Sequence, residues 1–123
     1  MPSIHFLLVD RDSAELEHFN GLLSEHGYVV TTAQTLKRPS ELFEHNHFDI
    51  VLTAQNLKQG NITDLIQHLI YEGKTAKVLV VTADPHVEQA VQLMKLGASH
   101  VWAKPVPETQ LLKVVKELAT DIR

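Results

Sequence analysis

Short, almost uninterrupted apolar runs recur along this chain, and segments of helical periodicity separate them. The runs cover residues 4–9, 28–32, 48–53, 77–81 and 100–103, and they are rich in Val, Ile and Leu. A strand that lacks polar alternation has both faces buried, which is the signature of a parallel sheet clothed by helices. Between the runs, Leu16, Phe19, Leu22 and Leu23 form one helical stripe stopped by Gly27. Ile62, Leu65, Ile66, Leu69 and Ile70 form a second that ends near Gly73. Val87, Ala90, Val91 and Met94 give the expected inner face of a third, opened by Asp84-Pro85 and closed by Gly97. Leu111, Val114, Val115, Leu118 and Ile122 give the last, from Pro107 onward. Residues 34–46 carry a weaker signal: Pro39 suits a first helical turn, with Leu42 and Phe43 facing inward. Asp12 or Ser13, with Glu15 following, reads as a helix cap.

Five β-α repeats with right-handed crossovers give an α/β, doubly wound parallel sheet. The 123 residues make a single domain, 1–123, with no internal linker or repeat, either free-standing or the N-terminal part of a longer protein. No run reaches the roughly 18 apolar residues of a membrane span, and no secretory signal opens the chain. Cysteine is absent, which removes thiolate metal sites and fits a reducing, cytoplasmic setting. The net charge of −4 argues against direct nucleic-acid binding. Of the eight histidines, none has a recognised ligand spacing, and His45 and His47 read as a solvated turn.

In doubly wound sheets the ligand crevice lies outside the carboxyl ends of the strands. Asp10, Arg11 and Asp12, then Ala54 to Asn56, Thr82 and Lys104 occupy those positions. Carboxylates can hold Mg²⁺, a hydroxyl donates a hydrogen bond and a lysine supplies a point charge, so the set suits a phosphoryl group or another anion. Each residue also has a plainer role, since aspartates after strands are common helix caps.

The stretches Val80-Val81-Thr82-Ala83 and Leu96-Gly97-Ala98-Ser99-His100-Val101-Trp102-Ala103-Lys104-Pro105 resemble the receiver domain of bacterial two-component response regulators. The resemblance covers nearly the whole chain from Leu7-Leu8-Val9-Asp10 onward. It implies a flavodoxin-like (βα)5 fold, strand order 2-1-3-4-5, with a cis Lys104-Pro105 bond. It implies a phosphoacceptor aspartate at the end of the third strand, with Mg²⁺ held by that residue and by acids after the first. Asp10 matches the first of those acids, Arg11 stands where the second usually sits, and Asp12 follows. Asp49 matches the acid that opens the third strand, and Asn61-Ile62-Thr63-Asp64-Leu65-Ile66 matches the opening of the next helix. That register puts Ala54 at the acceptor position and Lys58 at that of the usual loop proline. Thr82 and Lys104 match the switch hydroxyl and the phosphate-sensing lysine, and Val101 holds the place of the switch aromatic, with Trp102 one residue later.

Alanine has no nucleophile for an acyl phosphate, and a guanidinium cannot ligate a cation. The expectation is therefore a non-enzymatic pseudo-receiver without phosphoacceptor or metal, in which Arg11 or Lys104 pairs with Asp10. It would act on a protein partner, an output domain or a second copy. The docking face would be the fourth helix, fifth strand and fifth helix, near Lys95, His100, Trp102, Lys113 and Lys116. Core packing is the plainer reading of Trp102. The alternative is a small-ligand or anion binder using the same crevice, although the glycine-rich phosphate loop is absent.

Overall fold

The computed structural model describes residues 4–35, 47–55, 57, 62–71, 76–83 and 86–122. Five strands, β1 (His5–Val9), β2 (Val29–Ala33), β3 (Ile50–Ala54), β4 (Lys77–Thr82) and β5 (Ala98–Ala103), form one parallel sheet in the order β2-β1-β3-β4-β5. Four described helices flank it: α1 (Ser13–Glu25), α2 (Ile62–Tyr71), α3 (Val87–Leu96) and α4 (Glu108–Ile122). This is the flavodoxin-like arrangement. The short helix expected around Pro39, Leu42 and Phe43 lies outside the described residues, as do Asn56, Lys58, Asn61, Gly73 and Asp84-Pro85.

Both faces of the sheet are buried, and side chains that alternate along each strand feed two separate cores. Leu7, Val9, Val51, Val78 and Val80 meet Ile62, Leu65, Ile66 and Leu69 of α2 and Leu93 of α3. Phe6, Leu8, Ile50, Leu52, Leu79 and Val81 meet Leu16, Phe19 and Leu23 of α1 and Leu111, Val115 and Ala119 of α4. Asp12 caps α1, its Oδ1 accepting from the backbone N–H of Ala14 at 2.9 Å and of Glu15 at 3.4 Å. At Gly27 and Gly97, which follow α1 and α3, the backbone takes φ of 86° and 127°, a region open to glycine. The Lys104-Pro105 bond is cis.

Two expectations need correction. The inner face of α3 is Ala90 and Leu93, whereas Val87, Val91 and Met94 are 79%, 45% and 52% exposed. The two sets form adjoining stripes on a 3.6-residue helix, and only one of them can face the sheet. Second, β5 begins at Ala98 rather than His100, because its ladder tolerates an extra residue. Ala98 pairs with Val78 and His100 with Leu79, which leaves Ser99 as a bulge. Beyond the bulge Val101 turns toward the α2/α3 core and Trp102 toward the α1/α4 core.

Replacing Leu65, fully buried under α2, with alanine should lower stability by about 2–5 kcal/mol. Val91→Ser on the outer stripe of α3 should change it by no more than about 0.5 kcal/mol. Urea denaturation of the two variants checks the corrected orientation, and a Val91→Ser loss as large as that of Leu65→Ala would reverse it.

Candidate functional site

The ladders set the geometry of the carboxyl edge. Val9 pairs with Thr53, Ala54 with Val81, and Thr82 with Ala103. Backbone bonds extend this order one residue further, from Asp10 N to the Ala33 carbonyl, Gln55 N to that of Val81 and Lys104 N to that of Thr82. The residues singled out after each strand are therefore neighbours along one edge.

Asp10 is buried, with 7% of its surface exposed. Such a carboxylate must be paired or hydrogen-bonded. Both conditions are met. Its Oδ1 accepts from the backbone N–H of Asp12 at 3.0 Å, and its Oδ2 lies 3.1 Å from Lys104 Nζ. Glu15 stands 3.9 Å from the same ammonium, so Lys104 bridges the end of β5 to the first turn of α1. Of the two expected partners for Asp10, Lys104 is the one in contact, and Arg11 is exposed. Asp12 is committed to capping α1.

Ala54 is 6% exposed and lines, with Asp10, Thr53 and Val81, a void of about 10 Å³ on the α1 side of the sheet. Thr53 is buried and donates its hydroxyl to the Ala54 carbonyl at 3.0 Å. Thr82 belongs to a different compartment. It lines a cavity of about 120 Å³ beneath α3, together with Val101, Ala103 and Ala90. The expected single ring of residues thus divides into an ion-paired half around Asp10 and Lys104 and a largely apolar half around Thr82 and Val101. Asn56 lies outside the described residues.

Two residues gain importance from the geometry. Gln55 Nε2 donates to Gln89 Oε1 at 2.8 Å and ties the exit of β3 to α3. Glu15 joins the lysine cluster. Position 55 follows a strand end and was open to inspection from sequence, but nothing local to Gln89 marks it. Trp102 is half-buried, packs against the α1/α4 core and stacks on His100 with ring centroids 5.4 Å apart. His47 is exposed and meets Asp49 Oδ1 at 2.8 Å, while Asp49 Oδ2 accepts from the His5 backbone N–H at 2.9 Å.

The donor set around Asp10 does not fit Mg²⁺, which needs near-octahedral oxygen ligation. An ammonium lies against one Asp10 oxygen and faces Glu15 as well, while the Asp12 carboxylate is spent on the α1 cap. Among the described residues, no group of three or more His, Asp or Glu side chains is placed to hold a metal.

Residues 6–116 match the response regulator receiver domain family, and the chain belongs to it. Among its relatives is the alginate biosynthesis transcriptional regulatory protein AlgB of Pseudomonas aeruginosa, 33% identical over 91% of this chain and 25% of that protein. Another is the response regulator protein PilR of the same species, 31% identical over 95% of this chain and 26% of that protein. The chain spans about a quarter of the length of these relatives. Its fold superimposes on a CheY-like receiver domain from Methanospirillum hungatei with a TM-score of 0.86 and 28% identity, covering 98% of this chain and 97% of that one. The beryllofluoride-activated NtrC4 receiver domain dimer gives a TM-score of 0.88 at 23% identity, covering 97% of this chain and 98% of that one. No described helix is long and apolar enough to cross a membrane.

Breaking a fully buried ion pair costs about 3–5 kcal/mol, and the partial exposure of Lys104 reduces that figure. Lys104→Met should therefore destabilise the domain by about 1–3 kcal/mol. A double-mutant cycle with Asp10→Asn, read by urea denaturation, should return a favourable coupling. Additive losses would mean that the pair is not formed in solution.

Proposed function

We propose that this receiver domain is a phosphorylation-independent signalling module of the two-component type. It works by binding protein and not by catalysis. Ala54 stands at the acceptor position and carries no carboxylate, and Lys104 supplies to Asp10 the positive charge that a metal would bring. The observation that carries this reading is the 3.1 Å pairing of Lys104 with Asp10 beside a residue 54 that ends in a methyl group. Arg11 adds a second cation next to Asp10 in the chain and disfavours metal entry further. In this reading Asp10, Arg11, Asp12, Ala54, Asn56, Thr82 and Lys104 are a vestigial pocket, and Val101 takes the place of a switch aromatic.

Receiver domains of response regulators pair with output domains and can dimerise. For this chain we assign that role to the face built from α3, β5 and α4. Residues 1–123 then form one receiver unit of a longer, cytoplasmic bacterial regulator. The relatives, of which the chain spans about a quarter, support that reading by their greater length, and AlgB among them is a transcriptional regulatory protein.

Incubation with acetyl phosphate and Mg²⁺ should produce no acid-stable, hydroxylamine-sensitive adduct by intact-mass spectrometry, and Mg²⁺ alone should produce no saturable NMR shifts around Asp10. A gain of one phosphoryl group with those properties would refute the proposal.

A further inference from the structure

The cavity beneath α3 shares Thr82 and Val101 with the vestigial pocket, but the space itself has no role in that reading. We infer that it is a binding site for a small, neutral, planar molecule, about one aromatic ring with a single polar substituent, and that its occupancy is an input signal of the domain. The second half of this inference rests on the phosphorylation-free reading above. The first half stands on the cavity.

Size and chemistry set the ligand class. The volume is about 120 Å³, on the scale of the roughly 150 Å³ apolar cavity that takes up benzene. Its walls are Val101, Trp102 and Ala103 from β5 and Ala90 from α3, with Val87, largely exposed, at the open rim. Gln55, Thr82 and His86 contribute an amide, a hydroxyl and an imidazole, a small polar set against an otherwise apolar lining, suited to orienting one polar substituent. Among the described residues the lining contains no carboxylate, lysine or arginine. The His86 imidazole is exposed at the mouth, so an anion or a cation would lose hydration inside without a fixed, buried counter-charge, and charged ligands are disfavoured. The nearby ammonium of Lys104 does not change this, because it is held by Asp10 with Glu15 beside it.

The same walls connect the cavity to the surface. Gln55 lines it and also donates to Gln89 on α3. A ligand that takes the Gln55 amide competes with that bond, and its ring bears directly on Ala90 and Val87. The helix so displaced carries Val91 and Met94 on its exposed side. Differential affinity for two positions of α3 is what a ligand needs to shift their populations.

An NMR titration of ¹⁵N-labelled protein with phenol tests this. Saturable shifts are expected at Gln55, Thr82, Ala90, Val101 and Ala103, with a dissociation constant on the order of 1 mM for so small a ligand. They should extend to Val91 and Met94. Benzoate, similar in size but charged, should bind at least about tenfold more weakly. Val101→Phe and Ala90→Leu, each filling the cavity from a different wall, should each weaken phenol binding by about tenfold or more. Native-like spectra show that a variant has folded, and the two substitutions cover for each other. Absence of saturable shifts, shifts centred elsewhere, or phenol binding unaffected in a folded variant would overturn the site. Shifts that stop at the lining and leave Val91 and Met94 unmoved would overturn the input role. The acetyl phosphate experiment reads the other claim separately, since an acyl phosphate would leave the phenol site standing.

Discussion

A parallel sheet buried on both faces excludes charge from everything except its ends. Here α1 and α4 cover one face and α2 and α3 the other, and the strand interiors carry little besides branched aliphatic side chains. Polar groups on the strands therefore collect at the rims. All five strands run the same way, so one rim gathers every residue that follows a strand. Residues 10, 54, 82 and 104 are far apart in sequence and close along that rim because hydrogen-bond register admits no other arrangement.

Within the rim, a single electrostatic requirement organises the nearest groups. Asp10 is nine-tenths buried and so demands a cation. Lys104 meets that demand from the far side of β3 and β4 and in doing so reaches α1 through Glu15. The ammonium thus has a structural partner in the absence of any anion. On the other side of the sheet, Thr82 looks into an apolar space in which small residues at 90, 101 and 103 leave room. One edge supports two chemically different compartments, separated by the sheet itself.

Much of this was legible in the sequence. Continuous apolar runs announce buried strands, and their alternation with helical stripes fixes the doubly wound order. The positions of Asp10, Ala54, Thr82 and Lys104 at strand ends follow from counting. The face of α3 was not legible, because Val87, Ala90, Val91, Leu93 and Met94 span more of the helix than one sheet contact can cover, and apolarity alone does not say which stripe is inward. Nor was the division of the edge. It depends on side-chain alternation in β4 and β5, which a bulge alters. The Gln55–Gln89 bond joins two loosely constrained polar residues 34 positions apart, and no periodicity links them.

The bulge at Ser99 has a consequence for how this fold can vary. In an uninterrupted ladder the same residues would pair one step later, so that Trp102 would project beneath α3 and Val101 would turn toward α1 and α4. An indole would then occupy the space that is now open. Whether the ladder bulges at Ser99 or pairs through it therefore decides whether this domain is hollow or filled at that point. One backbone irregularity thus sets what fills that space with no change in any residue that lines it.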